Sequence, residues 1–226
     1  MRWKSVEAGL CLSLVFLVSR ICFADTLTLT GVGGQNTDGD YVYPYYFTAT
    51  GASGSETLVA MSCLNFNRDV SMGESWSATV IGVSSITPST KIDGESGLDI
   101  LADAYLFNQY SAATGNPQQI SDLQFAIWSI MDPSDVSGES GFDSNAQALA
   151  VAALRVAPTL PSSAFATDAV YIPSGSYPNG GEPQEFMTDP APSVVSVATP
   201  EPASLVLMGT GLFGSAILLY RRRAKA

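Results

Sequence analysis

Histidine is absent from all 226 residues. That absence excludes Ser-His-Asp hydrolysis, Cys-His proteolysis and His-ligated zinc or iron centres. Basic residues are nearly as scarce in the body of the chain. Between Asp25 and Thr199 only Arg68, Lys91 and Arg155 are positive, against 19 acidic residues, a net −16 compared with −11 for the whole chain. A surface of that sign repels nucleic acid and anionic lipid, so nucleic-acid binding is excluded. Of three cysteines, Cys11 and Cys22 fall within the first 24 residues, which leaves Cys63 alone and no internal disulfide in the body. A lone thiol in such a chain is a small buried hydrophobe, an intermolecular link or a reactive group. There is no repeat of fixed period. Gly-Glu-Ser-Gly occurs at 94–97 and 138–141 without a base to serve it. No enzyme activity, metal or cofactor is expected.

Both ends carry apolar runs with basic flanks. Arg2 and Lys4 precede an apolar stretch from Leu10 to Val18, and Cys22-Phe23-Ala24 precedes Asp25. That pattern predicts a secretory signal peptide over 1–24, cut between Ala24 and Asp25. At the other end, Pro200-Glu201-Pro202 leads into an uncharged apolar run from Ala203 to Tyr220, then Arg221, Arg222, Arg223 and Lys225. As a helix the run would reach about 27 Å, enough to cross a bilayer core. The basic cluster predicts a cytoplasmic C-terminus and an N-terminus outside. A Pro-Glu-Pro, one short membrane helix and an arginine cluster at the chain end resemble the PEP-CTERM sorting signal, here over 200–226. The resemblance implies recognition by exosortase, a membrane enzyme that cuts near the Pro-Glu-Pro, in Gram-negative cells that export polysaccharide. It also implies a cell-envelope or extracellular location. An ordinary single-pass anchor that is never cut is the alternative.

Between these signals the periodicity changes once. Thr26 to Thr30 alternates at period two, and Tyr41–Thr50, Thr57–Leu64 and Ser75–Val83 are rich in β-branched and aromatic residues. From Leu98 onward the spacing becomes helical. One helix runs to about Tyr110, a second opens on Asn116-Pro117 and runs to about Met131, and a third spans Ser144–Val156 between Asp143 and Arg155. Ala166–Ile172 reads as a last strand. The expected fold is α+β: an antiparallel sheet or sandwich with a three-helix insert over 25–172. Residues 173–199, rich in Pro, Gly, Ser and acids, read as a stalk, with a loop packed on the domain as the alternative.

On the second helix Ile120, Leu123, Ile127, Ile130 and Met131 form an apolar stripe, with Phe125 turned away. Gln124 lands within the edge of that stripe. A carboxamide facing a core costs roughly a few kcal/mol unless it finds partners. Cys63 ends the apolar strand Leu58–Leu64. A thiolate placed against the amide can attack its carbonyl carbon, expel ammonia and leave an internal thioester, which a partner's amine or hydroxyl could later open. Leu123-Gln124-Phe125-Ala126-Ile127-Trp128 resembles the Φ-Gln-x-Ala-Φ-Trp motif of thioester domains in bacterial surface adhesins, Φ being apolar. Ala104–Tyr110 is similar to the helix that precedes it, and Cys63-Leu64-Asn65 to the family's aromatic-Cys-Φ-Asp/Asn motif, with Ser62 in place of the aromatic. The resemblance implies a Cys63–Gln124 cross-link supported by Ala126, Trp128 and Asn65, in an adhesion or extracellular-matrix protein. The alternative keeps Cys63 as a core thiol and Gln124 bonded to backbone.

Weaker signals point to acidic turns at Asn36-x-Asp38-x-Asp40 and over Asp132, Asp135, Glu139 and Asp143 rather than to calcium loops. Tyr41–Phe47 could stack on sugar rings, although aromatic strands are more often core. The expected partners are exosortase and the secretion machinery, the membrane through the C-terminal helix, and either exopolysaccharide or a surface amine or hydroxyl. A noncovalent structural or carbohydrate-binding surface protein is the alternative function.

Overall fold

The computed structural model describes residues 23–35, 39–51, 53–175, 177 and 181–189. Four strands open the fold: β1 (Phe23–Gln35), β2 (Tyr41–Thr50), β3 (Glu56–Cys63) and β4 (Ser75–Gly82). A two-residue hairpin, β5 (Lys91–Ile92) and β6 (Glu95–Ser96), leads into five helices. These are α1 (Gly97–Phe107), α2 (Tyr110–Ala113), α3 (Pro117–Met131), α4 (Pro133–Val136) and α5 (Ser144–Val156). The chain returns through β7 (Ala169–Ser174) and β8 (Phe186–Thr188).

The main sheet closes on itself as an all-antiparallel barrel in the order β1-β2-β3-β8-β7-β4. The expected sheet or sandwich is therefore a barrel, and closure removes the exposed edges an open sheet would leave. Period-two alternation supplies its lining: Leu27 and Leu29 from β1, Val42, Tyr45, Phe47 and Ala49 from β2, Met61 and Cys63 from β3. Phe186 joins Phe47 at 4.5 Å and Trp76 at 6.2 Å between ring centroids. Each of these large apolar side chains, once buried, contributes about 1.5–3 kcal/mol. A cut after Ala24 would remove the first two rungs of the β1–β4 ladder, Phe23 opposite Val80 and Ala24 opposite Thr79.

The three expected helices are present with the expected caps. Asn116 Oδ1 accepts from the Gln119 amide at the start of α3, and Asp143 Oδ1 accepts from the amides of Asn145 and Ala146 at the start of α5. The second helix differs in one respect. Phe125 does not face away from the core: it is fully buried and enters the barrel interior with Trp128. Leu123, Ala126 and Ile127 face the other helices. Helix α3 is thus covered on both sides, and Gly141 is obligatory on one of them because the Phe125 ring occupies the space a Cβ would need.

The expected stalk is corrected in its middle. Gln184, Glu185 and the whole of β8 are buried, so the domain reaches at least Thr188 instead of closing at Ile172. Residues 1–22 of the expected signal peptide (1–24) and the expected span 203–220 lie outside the described residues. Among the described residues no helix is long and apolar enough to cross a membrane.

The acidic body leaves several carboxyls poorly solvated. Burial pushes Glu185 from 4.5 to about 8 despite Arg68, and Asp168 from 3.8 to about 6 despite the amide of Asn108. Asp103, fully buried with neither oxygen hydrogen-bonded, is pushed well above 3.8, first by burial and then by Asp99, Glu185, Glu95 and Asp132. These groups hold protons more tightly folded than unfolded. Their contribution is complete below the unfolded values and is lost as pH rises through the folded ones. Thermal unfolding followed by circular dichroism should therefore show the midpoint falling between about pH 5 and about pH 9. A midpoint that rises across that range would contradict the burial of neutral carboxyls.

Candidate functional site

Cys63 and Gln124 meet where α3 crosses the end of β3. Cys63 is the last residue of β3, paired with Phe186 of β8. Gln124 lies in the second turn of α3 and, like Cys63 and Ser62, exposes no surface. Its Nε2 donates to the carbonyl oxygen of Cys63 at 2.7 Å. Its Oε1 accepts from Ser62 Oγ at 3.1 Å and from the Tyr110 hydroxyl at 3.2 Å. The two hydroxyl oxygens are 3.3 Å apart. Every strong hydrogen-bonding direction of the amide oxygen is used, and the need for partners raised by an inward glutamine is met.

Adjacent strand residues point to opposite faces. Ser62 therefore turns towards the helical layer and the carboxamide, while Cys63 turns its thiol into the barrel core beside Trp128. Ser62 Oγ and the Cys63 backbone carbonyl thus meet the carboxamide, whereas the thiol sits on the barrel side of the strand beside Trp128, one helical turn beyond Gln124. The sulfur donates to the carbonyl oxygen of Asn65 at 3.0 Å. Burial pushes the thiol up to about 12; the neighbouring Trp128 indole and Asn65 pull the other way, and Asp132 and Glu185 push it further up. At neutral pH it is a thiol, not a thiolate. The Trp128 Nε1, buried beside it, makes no hydrogen bond.

Asn65 ties this end of β3 to the closing strand. Its Oδ1 accepts from the Glu185 amide at 2.7 Å, and its carbonyl accepts from Gln184 Nε2 at 3.0 Å. Asp132 accepts from the Phe66 amide at 2.7 Å and Asp135 from Asn67 at 3.1 Å. These acids fasten the loop after Cys63 to the end of α3, and among the described residues no group of three acids or thiols could hold a metal. Arg68 pairs with Glu182 and Glu185, each at 3.5 Å. Tyr110 is held by stacking on Tyr43, 4.0 Å between centroids at 13°. Burial raises its phenol well above 10, so the hydroxyl stays a donor.

Above the site a cavity of about 380 Å³ opens at the barrel mouth, lined in part by Asp40, Tyr41, Phe66, Asp69, Trp128 and Gln184. Cys63 and Gln124 do not line it. Ala126, the remaining motif residue, is buried in the helical layer. Pro200, Glu201, Pro202, Arg221, Arg222 and Arg223 lie outside the described residues.

Comparison with known proteins bears on the two ends of this account separately. Residues 198–223 match the PEP-CTERM protein-sorting motif. The chain thus carries the sorting motif of exosortase-handled surface proteins, and export to the cell envelope follows from it. The fold is similar to the N-terminal thioester domain of a surface protein from Clostridium perfringens, at 14% identity and a TM-score of 0.39, covering 74% of this chain and 97% of that one. No curated protein sequence matches.

Spacing and the helical wheel single out Cys63 and Gln124, and in the structure one hydrogen bond joins them, from the carboxamide to the Cys63 backbone carbonyl. Ser62, Tyr110, Gln184, Glu185 and Asp103 escape that reading. Only Ser62 carries a hint, as a polar residue at a buried position of an apolar strand. In a Cys63→Ala background, Gln124→Leu keeps the volume and removes the amide from three partners. Urea unfolding should show a loss of about 2–3 kcal/mol; a change below about 0.5 kcal/mol would mean the carboxamide is not bonded as described.

Proposed function

We propose that this is a surface-displayed adhesion or extracellular-matrix protein whose barrel-and-helix domain carries a Cys63–Gln124 thioester for covalent attachment. The observation that carries the proposal is the anchoring of Gln124. The one thiol of the domain belongs to the residue whose carbonyl receives the amide nitrogen, so the atom that must leave is the one nearest Cys63. Loss of ammonia would delete a buried polar group and store an activated acyl group in its place. A partner's amine or hydroxyl would arrive through the cavity and past Trp128, which lines it and neighbours the sulfur. The sorting motif supports presentation of the domain outside the cell, held by the 203–220 segment until or unless exosortase removes it.

A noncovalent reading has its own support. Tyr41, at the mouth cavity, and Tyr46 are about half exposed, and half-exposed aromatic faces are available to stack on sugar rings of an exopolysaccharide.

Intact-mass measurement of the purified protein separates the two. The thioester reading expects a mass short by one ammonia, restored in Cys63→Ala, with one methylamine added on treatment of the wild type. A wild-type mass equal to the processed sequence, unaltered by methylamine, rejects it. For the anchor, deletion of residues 200–226 should move the protein from the envelope to the medium on fractionation. Retention in the envelope would show that the tail is not what holds it.

A further inference from the structure

Resting on the thioester reading, we infer that the hydroxyls of Ser62 and Tyr110 form an oxyanion hole for Gln124 and speed both the making and the opening of the bond. Polar satisfaction alone would be met by hydroxyls on either end of the amide. Here both lie on oxygen, Ser62 Oγ at 3.1 Å and Tyr110 at 3.2 Å. The nitrogen faces Cys63 instead. The reverse orientation would set the amide oxygen against the Cys63 carbonyl, so the strand backbone fixes which end each hydroxyl meets.

The chemistry places charge where these donors already sit. Sγ leaves the Asn65 carbonyl, turns to Cδ and forms the S–C bond. The carbonyl π electrons move onto Oε1, which becomes an oxyanion between two preorganised donors. The C–N bond then breaks, the carbonyl reforms, and the thiol proton passes to Nε2, which departs as ammonia. Atoms and charge balance with no further reactant. Passing the thiol proton to nitrogen also suits a site where burial, Asp132 and Glu185 all disfavour a free thiolate. Attack on the finished thioester by an amine passes through an oxyanion at the same position, with sulfur as the leaving group.

Each hydroxyl is held for this task. Tyr110 is clamped by its stack on Tyr43 and edge contact with Phe107. Ser62 is fixed by its rung opposite Met187 of β8. An aromatic residue at position 62 could not supply the short hydroxyl found there.

The test follows ammonia loss by intact mass in freshly expressed full-length protein, and then the rate of opening by methylamine. Tyr110→Phe keeps the ring stack and Ser62→Ala removes only a hydroxyl; near-UV circular dichroism checks that each is folded. Each variant should slow both steps on the order of 10²-fold, as loss of one oxyanion donor does, and Ser62→Thr should recover most of the rate. In whatever thioester a variant does form, the carbonyl stretch of ¹³C-glutamine-labelled protein should move to higher frequency than in the wild type. A folded double variant that matures and opens at the wild-type rate, or an unmoved carbonyl stretch, overturns the oxyanion hole while leaving the thioester intact. Absence of ammonia loss in the wild type rejects the thioester and the hole with it.

Discussion

A primary amide in a dry core is the constraint around which this domain is arranged. Gln124 sits in a helix covered on both faces, where water cannot reach it, and each of its polar ends must be met by protein. Meeting them requires Ser62 and Cys63 at the end of β3 and Tyr110 on α2, two points far apart in the chain. The barrel therefore has to deliver the last rung of β3 to the middle of α3. The helical layer has to deliver a tyrosine ring to the same spot, which it does by stacking it on Tyr43 of β2. Misplacing any one of these elements strands a buried donor or acceptor, at about 1–3 kcal/mol each.

Closure of the barrel beside Cys63 depends on a strand of three residues. Phe186–Thr188 pairs with β3 on one side and β7 on the other, and Thr188 Oγ1 donates to the Ala60 carbonyl at 2.9 Å. The segment before it brings Glu185 under the site, tied to Asn65 and paired with Arg68. Arg68 is one of three basic residues in a body with 19 acids. With so few counter-charges, Asp103 is buried without a partner and Glu185 is pushed up to about 8 even beside Arg68, which ties folding of the site to the mildly acidic side of the pH range.

The helices were legible because their signals are local. Asn116-Pro117 and Asp143 mark two starts with cap chemistry, and the helical stripe brought out Gln124 as an anomaly. Strand β1 was legible from alternation, and β2 to β4 from their β-branched and aromatic residues. Strand β8 was not: three residues are too few to show a period, and their neighbours are the Pro, Gly and acids that also make stalks. The β5–β6 hairpin hides in the same way, although Asp93-Gly94, both at positive φ, is a strong turn signal between its two short strands. Phe125 was misplaced because a wheel assumes one buried face, whereas α3 has two. Ser62 and Tyr110 were missed because nothing within a few residues of either reports where its hydroxyl will point. That information lies in long-range packing of strand on helix.

The most direct test of the central claim looks at the amide itself. In ¹⁵N-glutamine-labelled protein, the side-chain NH₂ pair of Gln124 should be missing from the wild-type NMR spectrum and present, slowly exchanging with solvent, in Cys63→Ala. A wild-type spectrum that retains that protected pair would mean the carboxamide is held by hydrogen bonds alone, and the covalent account would be wrong.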